Sequence, residues 1–345
     1  MKETMKAAFY YDIGDFKVEE IPLPKIGAEE ALVRVKSCGI CGTDVHKAIH
    51  KTVKTPIVLG HEVSGEIVDL GEKVAEFKVG DKVALAHHAG CGVCHYCQKD
   101  HHSLCDEYLK TNLDPGGFST HVRVPAPNVR NTMLHIPEGL TFDEAAFMEP
   151  LACCLRGFGK TRFKKGDSVF IYGAGPIGLL FVQIAKTFNA SEIICSELMD
   201  YRLKYAKSFG ASHLINPSRN IDVIDMVNDI TKNNGVDLVI VTVGHPAIYN
   251  ESTKIIGRGG DILFFAESLE GTFPLDPNLI YKKEACFVGS YSSSPNEYAT
   301  GLNMIKNRNL NVKKLITHHF NLENLNNAIN LAHNPKNSLK IMINP

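Results

Sequence analysis

The stretch Ser168–Glu197, SVFIYGAGPIGLLFVQIAKTFNASEIICSE, decides the fold. SVFIY is an unbroken apolar run stopped by Gly173, which is how a strand buried on both faces reads. GAGPIG opens a helical run, PIGLLFVQIAKTF, and SEIICSE follows as a second strand. Strand, glycine turn, helix and strand make the βαβ unit of a parallel sheet. Gly173, Gly175 and Gly178 are spaced GxGxxG. The first permits the tight turn, the second lets a pyrophosphate approach the backbone, and the third packs helix on strand. Pro176 and Ile177 lie between them, at a helix N-terminus that would face the phosphates. Glu197 ends the second strand about 20 residues on, where a carboxylate accepts hydrogen bonds from ribose hydroxyls and repels a 2′-phosphate. NAD is therefore the expected dinucleotide, with Arg202 nearby as the residue type that accommodates NADP.

Working outward, the strands HLIN, VDLVIVTVG, GDILFFAES and CFVGSY alternate with helical segments such as YRLKYAKSFG. This predicts a doubly wound parallel sheet over residues 151–290. Residues 1–150 differ. Short runs such as ALVRVKSCGI, EVSGEIVDLG and FSTHVRV are broken by Gly, Pro and Asp, the pattern of an all-β domain. Thr141 and Glu144 have capping-box spacing and open a helical segment, TFDEAAFMEPLACCLRGFGK. The tail 291–345 reads as two helices, MIKNRNL and HFNLENLNNAINLAH, and a strand, LKIMIN, able to complete the first domain. The fold class is α/β.

Composition narrows the function. Lys plus Arg number 37 against 38 Asp plus Glu, a net charge of −1 that excludes a nucleic-acid or membrane binder working by bulk charge. The opening MKETMKAAFYYDIGDF has no apolar core of the signal-peptide kind, so a cytoplasmic location is expected. There the 10 cysteines point to metal or redox chemistry. Cys91, Cys94, Cys97 and Cys105 are spaced CxxCxxCx7C. Four thiolates close a tetrahedral zinc site and leave no position for catalysis, which reads as a structural zinc; ferredoxin clusters use other spacings. Upstream, Cys41 in CGTDVH and His61 with Glu62 in GHEVSG offer S, N and O donors, the number a catalytic zinc uses while keeping one position open.

GHEVSGEIVDLG, CGTDVH, the four-cysteine lobe and GAGPIG, in that order, resemble the zinc-dependent medium-chain dehydrogenases along the whole chain. CGTD and Met148-Glu149-Pro150-Leu151 are most similar to the polyol (sorbitol) and L-threonine dehydrogenase branch. The resemblance implies a GroES-like β domain with a Rossmann domain between its two parts. It implies a catalytic zinc on Cys41 and His61, with Glu62 and Glu149 both candidate carboxylate ligands, and thus two zinc ions per chain. Thr43 and His46 fall where the family relays a proton to solvent. Phe265, Ala266, Ser290 and Tyr291 fall at strand ends where it meets NAD. The implied activity is hydride transfer from a secondary alcohol, a polyol or sugar alcohol, to NAD, in a dimer or tetramer. An amino-alcohol substrate such as L-threonine is the alternative, and a nucleotide sensor without chemistry is a third reading that the full set of ligands disfavours. Lys47 stands where polyol dehydrogenases usually have an aromatic residue and Ser292 where they have an Arg, so the polyol itself is not marked; Lys47 reads as a solvated lysine, with contact to a carboxylate or phosphate on the substrate as the other reading.

Overall fold

The computed structural model describes residues 4–268 and 271–345. The chain forms two compact units, one of Met1–Ala152 with Ser293–Pro345 and one of Cys153–Ser292.

In the first unit a seven-stranded sheet runs in the order Ile316–Phe320, Lys340–Ile343, Ala31–Gly39, Glu62–Leu70, Lys82–Ala86 and Leu134–His135, with His121–Val124 also paired to Ala31–Gly39. A smaller sheet joins Thr4–Asp12, Asp15–Pro22 and Ile57–Val58. Alternation along Ala31–Gly39 sends Ala31, Val33 and Val35 into a core shared with Ile67, Val83, Leu85 and Phe118. Phe118 is fully buried in that core.

The register of this sheet positions the site. Glu62 lies opposite Gly39 on one side and Ala86 on the other. Antiparallel partners reverse direction, so the chain beyond Gly39, the chain before Glu62 and the chain beyond Ala86 all leave the sheet at one edge. Cys41, His61 and His87 are thereby gathered from three segments. The last strand pairs Met342 with Gly39, and the backbone of Ile40 donates to Ile341 O at 3.0 Å, which brings Lys340 to the same edge.

The second unit holds a six-stranded parallel sheet in the order His213–Ile215, Ile193–Ser196, Val169–Tyr172, Val236–Val241, Ile256–Phe264 and Cys286–Gly289. This is the doubly wound dinucleotide-binding order. Every residue of Val169–Tyr172 and Ile193–Ser196 is buried, as a sheet covered on both faces requires.

Two expectations are adjusted. The helical segment after Thr141 is two helices, Phe142–Ala145 and Met148–Gly159. Pro150 has no N–H to donate to Ala146, and its ring crowds that carbonyl, so the helix restarts. The capping box itself is present, Thr141 Oγ1 accepting from Glu144 N at 3.2 Å and Glu144 Oε2 from Thr141 N at 3.0 Å. In the tail, HFNLENLNNAINLAH divides into the end of strand Ile316–Phe320 and helix Leu325–His333, and MIKNRNL is only the end of helix Pro295–Lys306.

Candidate metal centre and dinucleotide loop

Cys41 is the N-cap of helix Gly42–His50, His61 precedes strand Glu62–Leu70, and Glu62 begins it. One ligand atom from each, a sulfur, a nitrogen and a carboxylate oxygen, lies within 4.8 Å of the other two. Asp44 organises them. Its Oδ2 accepts from Cys41 N at 3.0 Å and its Oδ1 from Gly60 N at 3.2 Å, while His61 Nδ1 lies 3.3 Å from Oδ1. A carboxylate on Nδ1 fixes the imidazole so that its other nitrogen is presented to a cation. Burial opposes a proton on His61, yet the charges of Asp44 and Cys41 outweigh it and raise its pKa well above the usual value. The same negative field favours a metal ion in that proton's place. A donor set of one Cys, one His and one Glu fits zinc, and three protein ligands would leave a tetrahedral ion one position for substrate.

The carboxylates at this edge meet a buried ammonium. Lys340 Nζ pairs with Glu62 Oε2 and donates to Ile40 O at 3.0 Å. Glu149, in the first turn of Met148–Gly159, is buried and its charge also acts on Lys340; it is not in the Cys41, His61 and Glu62 group. Gly39 makes room for the pair, since a Cβ there would overlap Glu62 Oε2 and sit 2.7 Å from Lys340 Cε.

Thr43, His46, Lys47 and His50 follow one another along one face of helix Gly42–His50, at i, i+3, i+4 and i+7, while Asp44 and Ala48 are buried. The His46 and His50 rings pack in a tilted pair with centroids 4.7 Å apart. The His87 ring packs, also tilted, against His61 at 4.6 Å and His88 at 4.1 Å. Lys47 is intermediate in exposure, and among the described residues no carboxylate pairs with it.

The Cys91, Cys94, Cys97 and Cys105 sulfurs also lie within 4.8 Å of one another. Backbone N–H groups point at them, Cys94 N at 3.3 Å from Cys91 Sγ and Cys91 N at 3.4 Å from Cys105 Sγ. Hydrogen bonds from Val93 and Cys94 lower the Cys91 pKa to about 7, whereas burial raises that of Cys97 to about 12. Gly92, at φ +78°, makes the turn between the first two.

In the second unit Gly173 has φ +90°, and a Cβ there would meet Thr242 Oγ1 at 2.8 Å. Over Gly175 the nearest atom to a Cβ is Arg202 Nη1 at 3.8 Å, leaving the space a pyrophosphate needs. Helix Pro176–Thr187 follows, with Gly175 as N-cap, no side-chain cap, and Ile177 and Gly178 in its first turn. Glu197 Oε2 accepts from Ala174 N at 2.9 Å and Oε1 from Leu198 N at 2.8 Å; Arg202 Nη1 lies 3.6 Å from Oε2. Phe265 and Ala266 follow strand Ile256–Phe264, and Ser290 and Tyr291 follow Cys286–Gly289. Ser290 Oγ is buried without a hydrogen-bond partner among the described residues, and Tyr291 is exposed. This loop and these strand ends fit a dinucleotide.

Comparison with known proteins agrees with both halves. Residues 27–137 match the alcohol dehydrogenase GroES-like domain, and residues 176–307 match the zinc-binding dehydrogenase family. Sorbitol dehydrogenase of Bacillus subtilis is 32% identical over 99% of this chain and 98% of its own. The chain belongs to the zinc-binding dehydrogenases. D-arabitol-phosphate dehydrogenase of Enterococcus avium is 31% identical over 99% of this chain and 97% of its own. A solved zinc-binding dehydrogenase from Sinorhizobium meliloti, bound to NADP, superposes with a TM-score of 0.89 at 29% identity over 100% of both chains.

Three residues of this zinc-binding dehydrogenase that matter at the metal edge escape the motif reading: Asp44, Lys340 and His87. Asp44 carries a signal, a carboxylate at the third helical position after Cys41. Lys340 and His87 carry none, because only strand register brings them to His61 and Glu62.

Proposed function

We propose that this zinc-binding dehydrogenase oxidises a secondary alcohol of the polyol or sugar-alcohol class, and reduces the matching ketone, with NAD. The observation that carries the proposal is the approach of Cys41, His61 and Glu62, whose ligand atoms lie within 4.8 Å of one another. These residues would hold the catalytic zinc, with Glu149 a second carboxylate nearby, and Cys91, Cys94, Cys97 and Cys105 would hold a structural one. A zinc held there would supply Lewis acidity towards the substrate oxygen, and NAD in the glycine loop would be the hydride acceptor.

The chain's own residues do the rest. Asp44 keeps His61 oriented through Nδ1. Thr43 takes the hydroxyl proton and His46, on the same helix face, passes it towards solvent. Gly173, Gly175, Pro176, Ile177 and Gly178 cradle the pyrophosphate, and Phe265, Ala266, Ser290 and Tyr291 line the nicotinamide side. Glu197 receives the ribose hydroxyls, and NAD is preferred because Arg202 is turned to Glu197 and so is withheld from a 2′-phosphate.

The working form is a cytoplasmic homo-oligomer. No helix among the described residues is long and apolar enough to cross a membrane, and Val93, Tyr96, Leu104 and Leu109 expose apolar surface on the cysteine lobe. The test is a panel of polyols, sugar-alcohol phosphates and L-threonine, run with NAD and NADP and followed by nicotinamide absorbance, with zinc counted in the same preparation. Turnover of a secondary alcohol with NAD is expected; no turnover of any panel member by zinc-replete protein overturns the proposal.

A further inference from the structure

We infer that Tyr201 sets the cofactor preference, its hydroxyl latching Arg202 beside Glu197 and so withholding that guanidinium from the 2′-phosphate of NADP. Tyr201 is a positioning residue in this arrangement, acting through Arg202. The inference rests on the dehydrogenase reading and assigns its cofactor choice to a residue outside the glycine loop.

Glu197 by itself leaves the choice open. Its Oε1 accepts from Leu198 N at 2.8 Å and from Met199 N at 3.1 Å, which fills the two lone pairs of that oxygen. Its Oε2 accepts from Ala174 N at 2.9 Å, and among the described residues its second lone pair takes no hydrogen bond. Arg202 Nη1 stands 3.6 Å from Oε2, close enough for an ion pair and too far for a hydrogen bond. One lone pair is thus left for one ribose hydroxyl. A contact of that length lacks directionality, so it does not by itself fix which way the guanidinium faces.

The hold comes from Tyr201. Arg202 Nε donates to Tyr201 Oη at 3.1 Å, and the guanidinium carbon lies 5.8 Å from the centre of the Tyr201 ring. Both residues belong to the first turn of helix Asp200–Phe209, where neighbours in sequence ordinarily diverge, so the contact is made by the side chains and not imposed by the helix. Nε and Nη1 lie in one rigid plane, and fixing Nε at the hydroxyl also fixes where Nη1 points. It points at Glu197 Oε2 and over Gly175, 3.8 Å from where a Cβ would stand. That is the pyrophosphate side, which NAD and NADP share. Arg219, in the turn after the adjoining strand His213–Ile215, is committed to Asp200 at 2.5 Å, and Asp200 also accepts from Asn216 Nδ2 at 2.6 Å. A 2′-phosphate therefore meets the Glu197 charge with Arg202 and Arg219 both already engaged.

The experiment titrates zinc-loaded, cofactor-free protein with NADH and with NADPH and follows the fluorescence of the bound nicotinamide, a readout that needs no alcohol substrate. The Kd for NADPH divided by that for NADH is expected to fall about three- to tenfold in Tyr201→Phe, the range of one hydrogen bond. In an Arg202→Leu background the same substitution should leave the ratio unmoved, because a residue that acts only through Arg202 then has nothing to act on. An unchanged ratio in Tyr201→Phe, or an equal fall in the Arg202→Leu background, overturns the latch while the dehydrogenase reading stands. Failure of the wild type to bind either reduced cofactor overturns the dehydrogenase reading instead.

Discussion

Lys340 and Glu62, separated by most of the chain, form an ion pair whose side chains are only 4% and 1% exposed. Burial disfavours the ammonium, but the charges of Glu62 and Cys41 outweigh it and hold the Lys340 pKa above its usual value. The pair ties the last strand of the first unit to the carboxylate that faces the metal position. Removing one partner of a buried pair leaves the other charge unsolvated. Lys340→Met should therefore destabilise the metal-free chain by about 3 kcal/mol or more in denaturant titration. Zinc loading should shrink that loss, because a dication then faces the stranded Glu62. A loss unchanged by zinc would remove Glu62 from the metal's surroundings.

On the proposed reading Asp44 would act on the metal through His61, whose Nδ1 lies 3.3 Å from its Oδ1. Asp44→Asn keeps an acceptor for Cys41 N, but it weakens the hold on the His61 Nδ1 proton and removes a charge that favours a cation. Zinc affinity at the catalytic position should fall about 10- to 100-fold, the usual effect of losing such an orienting carboxylate. Competition with a chromophoric chelator measures it, and an unchanged affinity would reduce Asp44 to a helix cap.

Lys340 and His87 mark the limit of legibility. The glycine loop, the cysteine clamp and the CGTDVH and GHEVSG segments are local, so each can be read off the sequence, and their combination and order carry the family resemblance that gives them their chemistry. The α/β class was equally legible, since strands buried on both faces are apolar throughout. Lys340 in SLKIMIN looks like any strand lysine until Met342 is set opposite Gly39. His87 acquires meaning only when Ala86 is set opposite Glu62. Register is a long-range property, decided by which faces bury against each other, and no short motif encodes it.

Glu144 makes the acid limb of stability predictable. Burial opposes its charge, but the Thr141 N–H, the Arg308 guanidinium at 2.7 Å and the Thr141 hydroxyl prevail and lower its pKa below the ordinary value. A depressed native pKa adds stability that is complete above the ordinary carboxylate range and is lost as pH falls through the native value. Glu144→Gln should lower Tm at neutral pH and flatten the fall of Tm below about pH 4.5. Parallel acid limbs for the two proteins would contradict this assignment.

Glu197 should govern cofactor choice. Its carboxylate accepts from Ala174 and Leu198 and holds Arg202 at 3.6 Å. Glu197→Ala removes the ribose acceptor and releases Arg202 towards a 2′-phosphate. The ratio of kcat/KM for NAD to that for NADP should drop by about tenfold or more, with NAD losing and NADP gaining. A wild-type enzyme that prefers NADP would already refute the role given to Glu197.

The cysteine lobe should depend on its metal for folding. Its buried apolar groups are Cys97, Cys105 and Tyr108, with Cys91 and Cys94 packed against them, so the lobe's core consists largely of the candidate ligands themselves. Without a cation, several sulfurs within 4.8 Å of one another repel as they ionise, and little apolar surface remains to hold the turns. Cys97→Ser should reduce the zinc content from two ions per chain to one and open residues 90–110 to limited proteolysis, while the Rossmann unit stays resistant. If the variant keeps its zinc count and its protease resistance, the lobe is held by packing alone and the structural zinc must be given up.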